Sequence, residues 1–215
     1  MPTRQKIIEV AIKLFNEKGC ENTSTRHIAD EMGISVGNLY YHFKNKEEII
    51  MAINNELMGL LTKRLTAFNE QIDMPFDFYD NLQARMQIEE RYRFLRFEMS
   101  GLYMNYPKVK QTFEISLQRK QEEIKKLIAH QIKFGYIVPL DEVELDFLCS
   151  NLWIINSQWE IYWLINKEKS SKLRILQGKL NFLYLFKPYL TQKALDRSNF
   201  LQTLKFIRQE IKNAE

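Results

Sequence analysis

Cysteine, glycine and histidine are scarce in this chain of 215 residues, which has two, seven and three of them respectively. Cys20 and Cys149 are far apart in the sequence, so a disulfide framework is not expected. The N-terminus lacks the apolar segment of a secretory signal peptide. Together these features predict a cytoplasmic protein.

Motifs of catalysis and cofactor binding are also missing. His27, His42 and His130 are scattered and do not have the spacing of metal ligands. The sequence contains no glycine-rich phosphate loop and no nucleophile elbow. We therefore expect no cofactor, no metal and no enzymatic activity.

No apolar run is clean enough to predict a membrane span. The strongest candidate, residues 147–165, is interrupted by Asn151, Asn156, Gln158 and Glu160, and such groups are costly within a bilayer. A helix that is apolar all round instead predicts burial, against its own core on one side and a partner subunit or ligand on the other. Because no segment alternates with a period of two residues, the chain is predicted to be all-α.

Acidic residues are absent from positions 32–46, although the net charge of the whole chain is only +4. Within this stretch, residues 35–46 read SVGNLYYHFKNK. Leu39 and Phe43, four residues apart, are expected to hold one side of a short helix against a core. Hydroxyl, imidazole and ammonium donors on the other side would suit a groove lined by phosphates. That side carries Val36, Gly37, Tyr40, Tyr41, His42, Lys44 and Lys46.

Two earlier segments predict a scaffold for this helix. Residues 4–18 carry apolar residues at helical spacing. Residues 25–32 form a second predicted helix, with Ser24 as its N-cap and Gly33 as its C-cap. Ser35 can then cap the third helix after a turn of three residues. Two short helices joined by a tight turn containing glycine form a helix-turn-helix unit, whose second helix enters the major groove of DNA.

The run TSTRHIADEMGISVGNLYYHFKNK, residues 23–46, resembles the N-terminal domain of the TetR family of transcriptional regulators. The resemblance extends over roughly residues 4–50 and implies a three-helix DNA-binding domain at residues 1–46. A larger helical domain for regulation and dimerisation would follow at residues 47–215. The positions that carry the resemblance are Ile28, Ala29, Gly33, Leu39, Tyr40, Phe43 and Lys46.

The resemblance also implies roles for single residues. Thr25 and Arg26, at the start of the second helix, would touch phosphates or base edges. Gly37 and Asn38 would face the bases, and asparagine can pair with adenine through two hydrogen bonds. Lys46 would add its charge at the start of the fourth helix.

Four further residues of the third helix complete the expected DNA-binding set. Tyr40 and His42 resemble phosphate contacts, and Tyr41 lies between them. Val36 could meet a thymine methyl group or merely shield the turn. Tyr40 and His42 also have an alternative, because a half-buried tyrosine or histidine on a short helix can serve packing alone.

Beyond residue 46 the sequence predicts helices separated by prolines and short polar breaks. A first long helix should end before the break at residues 72–75, and residues 76–104 should hold two helices with a break near 89–91. Pro107 is well placed in the first turn of the next helix. The predicted ranges are 46–70, two helices within 76–104, 107–134, 141–166, 171–187 and 196–212.

Residues 171–187 have two apolar faces, whereas a surface helix of a monomer needs only one. Pairing with the 141–166 helix and with a symmetry mate would bury the second face in a four-helix interface. The residues expected at this interface, in the homodimer that the resemblance implies, are Leu173, Leu176, Leu180 and Leu183. Alternatively, one subunit covers both faces.

Aromatic residues are concentrated in the larger predicted domain, with nine of them in residues 76–113 and three tryptophans later. Such side chains can line an adaptable pocket for a small molecule, but they also build helical cores. The pocket candidates are Phe97, Tyr103, Trp153, Asn156 and Trp159.

The sequence therefore predicts a DNA-binding transcriptional regulator of the TetR type. The resemblance implies a homodimer on a double-stranded DNA operator, acting as a repressor that a small apolar or aromatic effector releases, with activation of transcription as the alternative outcome. One alternative is an architectural or effector-independent DNA-binding protein. Another is an interaction adaptor that has kept the fold and lost DNA binding.

Overall fold

The structure is a computed structural model that describes residues 3–69, 73, 75–168 and 170–214. These residues form helices and no strand, as predicted, with an isolated antiparallel bridge between Ile137 and Leu190. None of the described helices is long and apolar enough to cross a membrane. The helices are α1 (Thr3–Lys18), α2 (Thr25–Met32), α3 (Val36–His42), α4 (Lys46–Asn69), α5 (Phe78–Arg91), α6 (Arg93–Phe97), α7 (Met99–Asn105), α8 (Pro107–Lys133), α9 (Glu142–Ile165), α10 (Ser171–Phe186), a 3₁₀ turn (Lys187–Tyr189), α11 (Gln192–Arg197) and α12 (Phe200–Lys212).

The chain divides into two compact units. Unit 1 consists of Met1–Leu61 and Ile88–Arg119, and unit 2 of Thr62–Gln87 and Lys120–Glu215. Helices α4, α5 and α8 contribute residues to both units. Each unit has a hydrophobic core of its own.

The core of unit 1 is built from the apolar faces that the sequence pattern predicts for the first helices. Helix α1 buries one apolar stripe, α2 buries Ile28 and Ala29, and α3 buries Leu39. Helix α4 contributes Ile49 and Ile50 to the same core. The stripe of α1 consists of Ile7, Ile8, Ala11, Ile12, Leu14 and Phe15. Since burial of each large apolar side chain contributes about 1.5–3 kcal/mol, these contacts fix where α3 lies within unit 1.

The core of unit 2 centres on α9, α10 and α12. Helix α9 begins at the predicted cap, where the Glu144 amide donates to Asp141 Oδ1 at 2.8 Å and the Asp141 amide donates to Glu144 Oε2 at 2.9 Å. Trp159 of α9 packs directly on Gly178 of α10, since a Cβ atom at position 178 would lie 2.5 Å from the indole ring. Glycine therefore allows these two helices to approach closely.

The predicted division of residues 76–104 into two helices is wrong, because three helices occupy this segment. The backbone leaves helical geometry at Tyr92 and again at Glu98. Both side chains reach other parts of unit 1: the Tyr92 hydroxyl donates to Glu56 at 2.6 Å, and Glu98 accepts from the Cys20 amide. Tertiary contacts decide these breaks, and neither break has a proline or glycine to mark it.

The helix predicted at 196–212 ends where α12 ends, but its start is wrong, because α11 and α12 are separate helices and α11 begins four residues earlier. Thr191 caps α11 by accepting from the Ala194 amide. At the gap between the helices, Asn199 Oδ1 accepts from the Phe78 amide at 2.9 Å. The predicted break at residues 72–75 lies partly outside the described residues.

Candidate nucleic-acid interface

The two short helices of the helix-turn-helix unit have well-formed ends. Ser24 Oγ accepts from the His27 amide at 3.2 Å, and His27 Nδ1 accepts from the Ser24 amide at 3.3 Å. Gly33 ends α2 with φ of +66°, a conformation that glycine adopts without strain. Ser35 Oγ then accepts from the Asn38 amide at 3.1 Å and starts α3. The three predicted caps are confirmed, whereas the histidine in the capping box was not foreseen.

Helix α3 has one buried side and one exposed side, as the spacing predicts. Leu39 is completely buried and Phe43, directly after the helix, exposes 2% of its surface. On the other side Gly37 and Asn38 are exposed, and Tyr41 exposes 86% of its surface. The outward side of α3 is therefore available to a groove.

Val36 and His42 lie at the edge of this exposed side. Val36 is half-buried against the core of unit 1, which favours its role as a shield for the turn. His42 is also half-buried, and its ring contacts Tyr41 edge-on with 5.2 Å between the ring centroids. Both residues are less accessible than Asn38 and Tyr41.

A pair of hydroxyl groups connects α2 with α3. Thr25 Oγ1 and Tyr40 Oη are 3.2 Å apart, and Tyr40 exposes 48% of its surface. Next to them, Arg26 is exposed and its Nε lies 4.0 Å from Asp30 of the following turn. Hydroxyl and guanidinium groups in this arrangement could donate to neighbouring oxygens of one phosphate backbone.

Lys46 lies in a more enclosed position than the sequence suggested. It is half-buried, and its Nζ donates to the Cys20 carbonyl at 2.6 Å and lies 5.8 Å from the centre of the Tyr106 ring. By contrast, Lys44 is exposed. The ammonium group of Lys46 thus ties the start of α4 to the turn between α1 and α2.

Arg4 is a candidate that the sequence reasoning missed. Its guanidinium carbon lies 4.6 Å from the centre of the Phe43 ring, at the C-terminal end of α3, and the residue is exposed. The contact joins residues 39 positions apart, so no local signal could have indicated it. Stacking on an aromatic ring orients the guanidinium for phosphate binding.

The carboxylates of the neighbouring helices are occupied within unit 1. Glu31 accepts from Lys13 at 2.7 Å, and this hydrogen bond lowers the pKa of the Glu31 carboxyl group. Glu47 accepts from the Lys108 amide at 2.7 Å, and Glu48 accepts from the Lys44 amide at 2.8 Å. Because residues 32–46 contain no acid, the surface around α3 stays favourable to an anion.

Behind the helix-turn-helix, residues 88–119 of unit 1 hold the turn between α1 and α2. The Cys20 amide donates to both oxygens of Glu98, each at 2.9 Å. Asn16 Oδ1 accepts from the Phe94 amide at 3.0 Å, and Asn16 Nδ2 donates to the Arg91 carbonyl at 2.8 Å. Burial raises the pKa of the Cys20 thiol to about 12, so this cysteine is an inert packing residue.

The five residues expected to line a pocket are divided between the two units. In unit 1, Phe97 is exposed and the Tyr103 hydroxyl donates to Glu114 at 2.7 Å. In unit 2, Trp153 is exposed, Asn156 is half-buried and Trp159 is buried against α10. For Trp159 this favours the core alternative.

The leucines expected at a dimer interface have little exposed surface. Leu173, Leu176 and Leu183 are buried within their own chain, and Leu180 is half-buried against the core of unit 2. Such residues have little surface left for a second subunit. One subunit thus covers the leucine face of α10, which was the alternative to pairing.

A different apolar surface is exposed on α9. Val143, Phe147, Ile154 and Ile165 expose between 51% and 74% of their surfaces. Their spacing of 4, 7 and 11 residues places them on one side of the helix. We call these four residues the α9 stripe.

Comparison with known proteins finds related regulators along most of the chain. The profile of the tetR family of bacterial regulatory proteins matches residues 7–53, and a second profile, described as a bacterial transcriptional repressor of the TetR type, matches residues 59–197. An HTH-type transcriptional regulator of Staphylococcus aureus strain USA300 is 36% identical over 98 residues, which are 46% of this chain and 49% of that protein. The chain thus spans about half the length of the curated relatives it matches.

Solved structures resemble the chain over nearly its full length. A TetR-family transcriptional regulator from Marinobacter aquaeolei VT8 superposes with a TM-score of 0.78 and 28% identity, covering 96% of this chain and 99% of that one. A putative transcriptional regulator from Saccharomonospora viridis, in complex with choline, gives a TM-score of 0.68 and 19% identity over 88% of this chain and 98% of that one. The second likeness concerns the fold alone.

Proposed function

This chain belongs to the tetR family of bacterial regulatory proteins, and we propose that it binds a double-stranded DNA operator as a homodimer and represses transcription until a small effector releases it. In this proposal residues 1–46 read the DNA, and residues 47–215 carry dimerisation and the effector site. Helix α4 begins directly after the reading unit and runs from Lys46 to Asn69, so it is the proposed link between the two functions.

The exposed side of α3 is the observation that carries the proposal of DNA reading. Asn38 is exposed in the first turn of the helix and can pair with a base edge. Tyr40 and Thr25 present adjacent hydroxyl groups for a phosphate, and Arg26 and Lys44 add positive charge nearby. Gly37 has no side chain, so the backbone of α3 can approach the groove closely.

A homodimer explains how a helix of seven residues could select one DNA site. Two copies of α3 about 34–36 Å apart would enter successive turns of the major groove. The α9 stripe supports the dimer, because four large apolar side chains on one side of a helix favour contact with an equivalent surface. This surface replaces the leucines of α10 in the proposal.

The effector is proposed to be a small molecule with an apolar or aromatic body. The aromatic side chains between positions 47 and 215 support a ligand with such a body. The complex of the Saccharomonospora viridis neighbour with choline supports only that a protein of similar fold holds a small molecule. An effector can shift the protein only through unequal affinity for the DNA-binding and the released states.

A binding assay with matched variants tests the DNA-reading surface. Operator sequences are first selected from randomised duplexes with the intact protein, and affinity is then measured by fluorescence anisotropy. Asn38→Ala should lower discrimination by about 1–3 kcal/mol at one base pair of each half-site, because alanine cannot hydrogen-bond to the base edge. Tyr40→Ala should weaken binding to all sequences alike.

Tyr184→Ala is the control, since Tyr184 on α10 is exposed to 45% and Tyr40 to 48%. This control should bind the operator as the intact protein does. If Asn38→Ala keeps the full base preference and Tyr40→Ala matches Tyr184→Ala, α3 is not the reading helix. If the intact protein enriches no sequence at all, the adaptor alternative replaces the proposal.

A further inference from the structure

Lys179 is a buried lysine in the interior of unit 2. It exposes 8% of its surface and lies on the same face of α10 as Leu176 and Phe182, which are also buried. An ammonium group is rarely buried to this extent without an ionic partner, because the loss of hydration is costly. Lys179 therefore needs an explanation.

The partner that Lys179 has is neutral. Its Nζ donates to Gln83 Oε1 of α5 at 2.6 Å. An ammonium group has three donors, and among the described residues Gln83 is the acceptor for one of them. Burial lowers the pKa of the Lys179 ammonium group, and no carboxylate of the described part of the chain counteracts that effect.

The next buried residue on this face of α10 is aromatic, and a second cation lies near its ring. Phe182 lies one turn after Lys179. The guanidinium carbon of Arg85 is 5.8 Å from the centre of the Phe182 ring. Arg85 and Gln83 are both on α5, so this helix places a guanidinium group near the Phe182 ring and an amide oxygen against Lys179 of α10. We call Gln83, Arg85, Lys179 and Phe182 the α5–α10 seam.

We propose that the α5–α10 seam is the subsite for an anionic group of the effector, a carboxylate carried on an aromatic body, with Lys179 as its counter-charge. A carboxylate would accept hydrogen bonds from the N–H groups of Lys179 that do not bind Gln83, and it would neutralise the buried ammonium group. Phe182 would contact the apolar body. This inference rests on the proposed function, since it gives the chemical class of the proposed effector.

Matched pairs of probes separate charge from shape. The probes are 2-naphthoate, 4-phenylbenzoate and indole-3-acetate, each compared with its primary amide. For the intact protein, the carboxylates should raise the melting temperature by about 3–6 °C at ten times their dissociation constant, whereas the amides should give no shift. Lys179→Arg should keep the response to carboxylates, and Lys179→Met should lose it.

The ligand-free variants supply a second measurement. Lys179→Met should melt at the same temperature as the intact protein or higher, because an apolar side chain replaces a buried charge that has no ionic partner in the described part of the chain. Lys187→Met, at an exposed lysine after α10, is the control and should respond to carboxylates as the intact protein does. A fall of several degrees in Lys179→Met would mean that Lys179 serves the fold, and it would overturn the subsite.

Three other outcomes also overturn the subsite: equal responses to carboxylates and amides, a retained response in Lys179→Met, or no shift with any carboxylate. Operator binding is measured in parallel by anisotropy. If the protein binds its operator while the carboxylates give no shift, the subsite fails and the regulator stands. If it binds no operator but responds to carboxylates through Lys179, the proposed function fails and the subsite stands.

Discussion

Lys44 and Lys46 are two residues apart, but their ammonium groups have different surroundings. Lys44 is exposed, and none of the described residues accepts a hydrogen bond from its side chain. Lys46 is half-buried and donates to the Cys20 carbonyl at 2.6 Å. The two lysines should therefore have separable roles, one in binding phosphate and the other in holding the fold.

Alanine variants of the two lysines test this separation. Lys44→Ala should be as stable as the intact protein. Its affinity should depend less steeply on salt, with the slope of log affinity against log salt smaller in magnitude by about 0.9 for each phosphate that the variant no longer binds. Lys46→Ala should lower the free energy of unfolding by about 1.5–3 kcal/mol, because it removes a hydrogen bond donated by a charged group. Urea unfolding and anisotropy at several salt concentrations measure both effects. Equal unfolding curves for the two variants would contradict the role of Lys46 in the fold.

At the scale of single residues, the sequence predicted the burial and the helix caps that depend on neighbouring residues. The burial of Leu39 and Phe43 and the cap at Ser35 follow from residues within four positions of one another. The bond from Lys46 to Cys20 joins residues 26 positions apart, and the stacking of Arg4 on Phe43 joins residues still further apart. Sequence periodicity contains no information about such pairs, because tertiary packing brings them together.

Among the elements, helices with caps were predicted well and helices set by distant contacts were not. Serine, aspartate and glycine at the ends of α2, α3 and α9 satisfy free backbone groups locally, so the sequence alone indicated these ends. The junctions around α6 have no such signals. They arise where Tyr92 and Glu98 turn toward α4 and the α1–α2 turn.

Glu98 should affect DNA binding indirectly, because its carboxylate accepts hydrogen bonds from the turn before α2. Glu98→Ala removes both acceptors of the backbone amide of Cys20, a completely buried residue of this turn. We expect a loss of about 1–3 kcal/mol in the free energy of unfolding, because a buried donor is left without a partner. Operator affinity should fall as well, since the α1–α2 turn leads directly into α2. Urea unfolding and anisotropy are the measurements.

Glu114→Ala is the matched control, because Glu114 also accepts a hydrogen bond in unit 1, from the exposed Tyr103 hydroxyl at 2.7 Å. This variant should change stability by less than about 0.5 kcal/mol, as is usual for surface positions. If both variants unfold alike, the bond from Cys20 to Glu98 does not hold the turn.

For the molecule as a whole, the sequence predicted an all-helical chain but not which apolar surface stays exposed. Two apolar faces on α10 suggested a second subunit, yet α9 and α12 of the same chain pack against this helix. Hydrophobic periodicity reveals that a face is buried and does not reveal by what. The α9 stripe could not be predicted, because residues 147–165 are apolar on all sides and the pattern does not distinguish one face from another.

The last prediction concerns assembly. In the double variant Phe147→Glu with Ile154→Glu, two carboxylates replace the two central residues of the α9 stripe, so burying the interface would require burying unpaired charges. Light scattering should give the mass of one chain instead of two. The DNA footprint should shrink from two half-sites, whose centres are about 10 base pairs apart, to one half-site or none.

Leu201→Glu introduces the same charge at an exposed leucine of α12, where 48% of the surface is accessible, and it should keep both the dimer and the footprint. Far-ultraviolet circular dichroism of all variants should be that of the intact protein, because the substituted side chains point away from the core. If the double variant stays dimeric while it folds normally, the α9 stripe is not the interface, and the second subunit must bind another surface.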